Sequence, residues 1–449
     1  MRKKRKLLIG STEIEMSGIS IDSRCVQVGD VFFALRGTVN DGHQFISDAL
    51  IKGAAAVVID DKAFYISDKT ILVDNVLESL KEIGLKFKNL ANPKATIGIT
   101  GSVGKTTTKV WISEILKNHH YRVFTTTNNY NTIFGLSLAL STMEDDPEFC
   151  VLEMGSNHPG EILELSKYLS PNIGIITNIF ESHIGNFKDK MEIAKEKISI
   201  LDGMPSGSVL IFNGDSEFFE DIKRAADDKQ IRTMSVGFSD HCDYKVISGQ
   251  KLTTIQSPSM EYRYEPGICG KHYDYIGGCL IATLDALGLQ IEHFLQYFSM
   301  LCPLPGRGQV LNCNFHGKQF KIVDESYNAS PTAVLAALEV FDETYDFPKV
   351  AIIGQMNELG DHEEFYHRRI AQSIADCHLH RIFFIGAERL WKVFEEVNAK
   401  CYPELSLHNI HAILETITDG SRILLKGSHS IGLVRLIQAI QGHYTRKIS

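Results

Sequence analysis

The sequence predicts a three-domain α/β protein: a small α/β domain, a central parallel-sheet domain with a phosphate-binding loop, and a C-terminal Rossmann-like domain. Three observations lead there. Short apolar runs alternate with segments of helical period through most of the chain, the pattern of parallel strands covered by helices. A glycine-rich turn, GSVGKTTT at 101–108, joins one such run to a helix. The 449 residues exceed one ordinary core, and the alternation restarts after a linker-like PLPGRG at 303–308. The expected domains are 1–82, 83–302 and 303–449.

The first unit opens on a basic run, Arg2 to Lys6, followed by only three strongly apolar residues, too few for a signal-peptide core. A solvated tail is expected there. SIDSR (20–24), GDVFFALRG (29–37) and DGHQF (41–45) supply a turn, a buried strand and a loop, and a helix-like segment at 49–53 leads into a strand at 54–59. Ser23, Arg24 and His43 fall in loops at strand ends, where turn formation and surface charge explain them as well as binding does.

The second unit begins within a helix at 80–90, breaks at Asn92-Pro93, and continues as a strand at 95–99, the glycine-rich turn and a helix from Lys105. A strand, such a turn and a helix N-terminus aim backbone N–H groups and the positive end of the helix dipole at one point, which favours an anion. Gly101 and Gly104 permit the turn, Lys105 can reach a terminal phosphate, and the Thr106 hydroxyl can ligate Mg²⁺. The pattern is tighter than G-x-x-x-x-G-K-[ST], since Ile99 stands where its first glycine would be. Further strands are expected at 121–124, 149–152, 172–177 and 208–212. Their ends carry Glu153, then Asn178 and His183, then Asn213 and Asp215, and ligands of such sheets collect at those ends. Each alone is also what a helix cap requires.

The third unit repeats the alternation, with strands at 320–323, 349–353, 381–385 and 422–425 and a helix at 332–341, but has no G-x-G-x-x-G. Its polar strand ends, DESYN (324–328), GQMNE (354–358) and KGSH (426–429), would line a cleft facing the second unit. His362 and His367 are five apart, about 140° around a helix, and do not form a zinc pair.

Composition limits the rest. A net charge of −9 offers no broad field for nucleic acid, and no apolar run is long enough to cross a bilayer. Nine scattered cysteines without C-x-x-C indicate neither a disulfide framework nor a zinc site, and a reducing cytoplasm is expected.

On these motifs the chain resembles the Mur ligases, ATP-dependent enzymes that add amino acids to the UDP-linked peptidoglycan precursor. The resemblance spans nearly the whole chain: DSR, GDVFFALRG, DGHQF and GAAAVV in the first unit; TGSVGKTTTK, NNYN, LEMGSNHPGEI, TNIFESHIGNF and IAKEK in the second; DESYNASP, GQMNELG and LKGSHS in the third. EMGSNHPGEI, SYNASP and MNELG are most similar to the branch that appends D-alanyl-D-alanine, and the DNPR of the diaminopimelate-adding branch is absent. Folylpolyglutamate synthases share the phosphate loop without the first domain. Thr132, Ser137, Ile276, Glu325, Ser330, Gln355 and His429 depart from the family's commoner residues.

The resemblance implies an acyl-phosphate mechanism with UDP-N-acetylmuramoyl-tripeptide and D-alanyl-D-alanine as substrates, in a cytoplasmic monomer. It assigns ATP to Gly101, Ser102, Val103, Gly104, Lys105, Thr106 and Thr107, with Arg307 and Asn328. It gives one Mg²⁺ to Thr106 and Glu153, and a second to His183 and Lys197, the latter carbamylated. Ser23, Arg24, Asp41, His43, Asn129, Asn131 and Lys426 would contact substrates, and a hinge would lie at 303–308. From the residues alone Lys197 reads as a solvated helix lysine, although it shares the apolar face of Ile193 and Leu201 while Lys195 points away. A ligase adding the third amino acid, a polyglutamate-adding relative and a nucleotide-dependent switch remain the alternatives.

Overall fold

The computed structural model describes residues 4–37, 40–127, 130–143, 146–249, 251–268, 270–344 and 348–442. The chain begins as an antiparallel hairpin, Arg5–Ile9 against Thr12–Met16, whose Leu7, Ile9 and Met16 are buried. The expectation of a solvated tail is corrected from Lys4 onward. Alternation of period two puts Leu7 and Ile9 on the core, and Arg5 donates to the Met143 carbonyl at 2.7 Å with its guanidinium 5.0 Å from the Phe87 ring centre.

Behind the hairpin lies an all-parallel sheet in the order Gly18–Ser20, Asp30–Phe33, Ala56–Ile59, Thr70–Leu72. The two middle strands are buried at every residue, as a parallel sheet covered on both faces requires. The helix Val76–Ala91 follows, capped by the Asn75 side chain accepting from Glu78 N, and ended by Asn92 in a left-handed conformation before Pro93. It runs unbroken through the boundary expected at 82/83 and packs against the helix Ile133–Ser141.

The central sheet has nine strands in the order Glu261–Tyr264, Thr253–Gln256, Tyr244–Ile247, Arg232–Gly237, Val209–Asn213, Ile173–Ile176, Ala95–Thr100, Phe149–Glu153, Val123–Thr125. Pairing is parallel from Val123–Thr125 to Tyr244–Ile247, and the last two strands add an antiparallel edge. Ala95–Thr100, buried at all six positions, lies between Ile173–Ile176 and Phe149–Glu153, so the three strand ends at 100, 153 and 176 open side by side.

The C-terminal sheet runs Gln309–Phe315, Lys318–Glu325, Arg422–Lys426, Lys349–Gly354, Arg381–Ile385, Lys400–Tyr402, parallel except for its first hairpin. Its strand ends face those of the central sheet. Among the described residues no helix is long and apolar enough to cross a membrane.

Candidate active site

A cavity of about 580 Å³ lies where the two sets of strand ends meet. Residues 102–107 form one wall. Gly101 has φ 136°, and a Cβ there would collide with Thr177 Oγ1; Gly104, at φ 87°, caps the helix Lys105–Asn118. That helix leaves the N–H groups of its first turn without intrahelical partners. Ser102 and Val103 also line the wall, but their N–H groups are occupied: Asn178 accepts from Ser102 N through its carbonyl and from Val103 N through Oδ1, at 3.0 and 2.8 Å. These two residues fix the loop's shape, and Gly104 to Thr107 present the N–H groups to an anion. Lys105 folds back, donating to the Gly101 and Ser102 carbonyls at 2.7 and 3.2 Å, and burial lowers its pKa.

Glu153 organises the next wall. It accepts from Thr106 Oγ1 at 2.9 Å and from Asn131 Nδ2 at 3.1 Å, and the Lys109 ammonium lies 3.8 Å away. Thr106 in turn accepts from Arg307 Nη2 at 3.0 Å, so the linker arginine reaches the phosphate loop directly; its guanidinium carbon also sits 3.9 Å over the Tyr327 ring. Lys109 donates to the Thr126 carbonyl at 2.7 Å, and burial lowers its pKa.

Lys197 corrects the reading as a solvated lysine. Asp189 caps the helix Lys190–Ile198 by accepting from Glu192 N, and the resulting phase turns Lys197 inward, 3% exposed, while Lys195 stays exposed. Nζ donates to Ser156 Oγ at 2.6 Å, immediately behind the cavity wall. Burial, reinforced by Lys105, lowers its pKa to about 7. Its neighbour Glu196 accepts from Gly160 N and Ile162 N at 2.6 and 2.7 Å, which holds the 155–161 segment against this helix. His183 lines the cavity from the opposite loop and bonds Glu358 of the C-terminal domain through Nδ1.

Asn328 and Lys426 complete the C-terminal wall, with Lys426 donating to the Asn328 carbonyl at 2.8 Å and to Glu325 Oε2 at 3.3 Å. Ser330 Oγ is buried there with no hydrogen-bond partner among the described residues. Ile276 lines the cavity among His272, Tyr273 and Tyr275. Gln355 is not in the wall: it donates to Glu363 and accepts from Ala387 N.

Four expected substrate contacts lie apart from this cavity, in the first domain. Arg24 is exposed and paired with Asp22 at 2.7 Å, a bond that holds the Asp22 carboxyl down at about 2. Ser23 is buried and accepts from Lys52 through its carbonyl. His43 has its ring enclosed, Nδ1 bonding Asp41 at 2.7 Å and Nε2 accepting from Asp60 N at 3.3 Å, so it ties two loops together. Asn129 lies outside the described residues.

Sequence reasoning missed Lys109, Asn178 as a brace of the loop, Ser156, and the pairing of Glu358 with His183. Lys109 carried a usable signal, since it sits one turn after Lys105 on the same helix face. The donors present fit a magnesium ion brought by a nucleotide. Among the described residues no three His, Cys, Asp or Glu side chains converge as a protein metal cage. The Thr106 hydroxyl and the Glu153 carboxylate are instead two adjacent hard oxygens, the kind of ligand Mg²⁺ takes when phosphate and water supply the others.

Three family models match in order along the chain: the Mur ligase family catalytic domain at 15–92, the Mur ligase middle domain at 99–275, and the Mur ligase glutamate ligase domain at 306–429. The UDP-N-acetylmuramoyl-tripeptide--D-alanyl-D-alanine ligase of Rickettsia prowazekii is 31% identical over 446 residues, covering 96% of each chain. Among solved structures, MurF from Acinetobacter baumannii superposes with a TM-score of 0.84 at 24% identity, covering 95% of this chain and 94% of that one. MurF from Thermotoga maritima, solved with ADP, gives 0.82 at 24% identity, covering 95% and 97%. With three domains in the same order, a phosphate loop at the centre and a relative matched end to end, the chain belongs to the Mur ligase family.

Proposed function

We propose that the protein joins D-alanyl-D-alanine to UDP-N-acetylmuramoyl-tripeptide with conversion of ATP to ADP and phosphate. One observation carries the reading: a phosphate loop, an oxygen-ligand pair and the polar strand ends of a second domain face a single cavity. The near-full-length relative from Rickettsia prowazekii, named for this reaction, supports the choice of substrates.

A carboxylate is a poor electrophile, so the chemistry must activate it. The γ-phosphoryl group passes to the tripeptide carboxylate with ADP as leaving group; the dipeptide amine then attacks the acyl carbon, and phosphate departs with the proton accounted for on solvent. The N–H groups of Gly104 to Thr107 and the Lys105 ammonium hold the β- and γ-phosphates and offset their charge in transfer. Asn131 and Lys109 hold Glu153 in place, and Arg307 and Asn328 approach the nucleotide from the C-terminal domain. Tyr273, Tyr275 and Ile276 offer a flat apolar face to the base, and Lys426 keeps the DESYN turn against the cavity.

When bound, Mg²⁺ would polarise the transferring phosphoryl oxygens, held by Thr106 and Glu153 at one position and by His183 and Lys197 at a second. The reading includes a CO₂ adduct on Lys197: the ammonium gives up one proton, the neutral amine forms an N–C bond to CO₂ with loss of a second, and a buried cation becomes a carbamate anion. Burial and a pKa near 7 supply the neutral amine this needs. Ser23, Arg24, Asp41 and His43 belong to the region proposed for the UDP end. The reading takes the protein as a monomer acting on UDP-linked substrates in the cytoplasm.

The test is ADP release with UDP-N-acetylmuramoyl-tripeptide, with and without D-alanyl-D-alanine, followed by product mass. Release only with both substrates, and a gain of one dipeptide, is the expected result. Addition of a single amino acid would identify a third-residue or polyglutamate ligase, and ADP release with neither substrate would identify a nucleotide switch.

A further inference from the structure

Two residues on opposite sides of the interdomain cavity share an unusual backbone. His183, on the loop after Ile173–Ile176, has φ 58°, and Glu358, on the loop after Lys349–Gly354, has φ 62°. Neither is glycine; histidine is among the side chains that enter the left-handed region more readily, but glutamate is not, so Glu358 is held there at a cost that surrounding contacts must offset. The same two residues bond each other, Nδ1 of His183 to Oε2 of Glu358. The backbones meet as well: Gly185 N donates to the Glu358 carbonyl at 2.9 Å. A Cβ on Gly185 would lie 2.5 Å from Gly360 N and 2.9 Å from Glu358 O, so only glycine admits this approach.

We propose that Glu358 is a positioning residue for His183, so that the C-terminal domain sets an imidazole of the central domain. A carboxylate oxygen accepts, which assigns the proton to Nδ1 and leaves the Nε2 lone pair available to the cavity His183 lines. A histidine that holds a metal is commonly fixed in this way by a carboxylate on its other nitrogen. Here that carboxylate arrives from another domain, so His183 acquires its working tautomer only when the two loops are in contact. Closure of the domains and completion of the site are then one event. The consequence for turnover rests on the ligase reading; the pairing itself does not.

The test uses the full chain labelled with ¹⁵N-histidine, with the His183 signals assigned through His183→Asn, and no nucleotide present. Glu358→Asn suits the left-handed backbone and is one methylene too short to reach Nδ1. Glu358→Gln keeps an acceptor oxygen at full length. The wild type and E358Q are expected to show His183 protonated at Nδ1, and E358N to shift it toward Nε2. In ligase assays E358N is expected to lose about 10- to 100-fold in kcat with KM for ATP within about twofold, and E358Q to recover most of the loss. An Nδ1–H tautomer that persists in E358N, or an E358N enzyme with wild-type kcat, overturns the proposal. If no variant and no wild type ligates, the ligase reading has failed and the tautomer shift alone decides the pairing.

Discussion

Thr106 donates its hydroxyl proton to Glu153 at 2.9 Å while accepting from Arg307 at 3.0 Å, so one side chain of the phosphate loop joins a strand end of its own sheet to the linker of the next domain. Removing either partner of Thr106 therefore has different consequences. Glu153→Gln keeps the size but weakens the oxygen proposed to hold Mg²⁺ and leaves Lys109 beside a neutral amide. A loss of about 100-fold in kcat, read by steady-state ADP release, is expected. Arg307→Ala removes the far domain's hydrogen bond to Thr106 while leaving the loop's own residues intact, and is expected to raise KM for ATP.

Gly185→Ala forces backbone against backbone at the interdomain seam. The central domain keeps its own packing, so the expected outcome is a larger radius of gyration by solution scattering and at least a tenfold loss of activity, with a nearly unchanged circular dichroism spectrum.

The cysteines divide by burial. Cys150 and Cys279 are pushed up to about 12 by desolvation, so at pH 8 the thiolate is a negligible fraction of either. Cys25 and Cys302 are exposed. A maleimide at pH 8 should label Cys25 and Cys302 in the native protein, and Cys150 and Cys279 only after denaturant, as peptide mapping will show.

Lys88 is a buried cation in the first interdomain helix, donating to the Leu169 carbonyl, and burial lowers its pKa. The sign follows from linkage. Between its folded pKa and the ordinary value of about 10.4, the unfolded chain holds a proton that the native state lacks, so stability rises with pH across that window. Below the window the cost of burying the charge is constant. The stability of the wild type relative to Lys88→Met should therefore improve as pH rises from 8 to 10, measured by denaturant unfolding.

Much of the site was legible because its signals are local. Gly101, Gly104, Lys105 and Thr106 lie within six residues, and the helical spacing of Ile193 and Lys197 already separated Lys197 from Lys195. Runs such as Phe149–Glu153, buried at every position, announce central strands. What stayed hidden depends on partners distant in the chain. Arg5 looks like part of a charged tail until Phe87 and Met143 are placed beside it, and His43 looks available until Asp60 closes over it. Glu358 gains its meaning from a residue 175 positions away. The short strands between Tyr244 and Tyr264 alternate too briefly to register as a sheet edge.

The central claim is that this cavity activates a carboxylate by phosphorylation, and oxygen tracing tests it most directly. UDP-N-acetylmuramoyl-tripeptide labelled with ¹⁸O in its terminal carboxylate is incubated with ATP and D-alanyl-D-alanine, and the released phosphate is weighed. An acyl phosphate requires one ¹⁸O in each phosphate formed; phosphate free of label alongside ligated product would contradict the account.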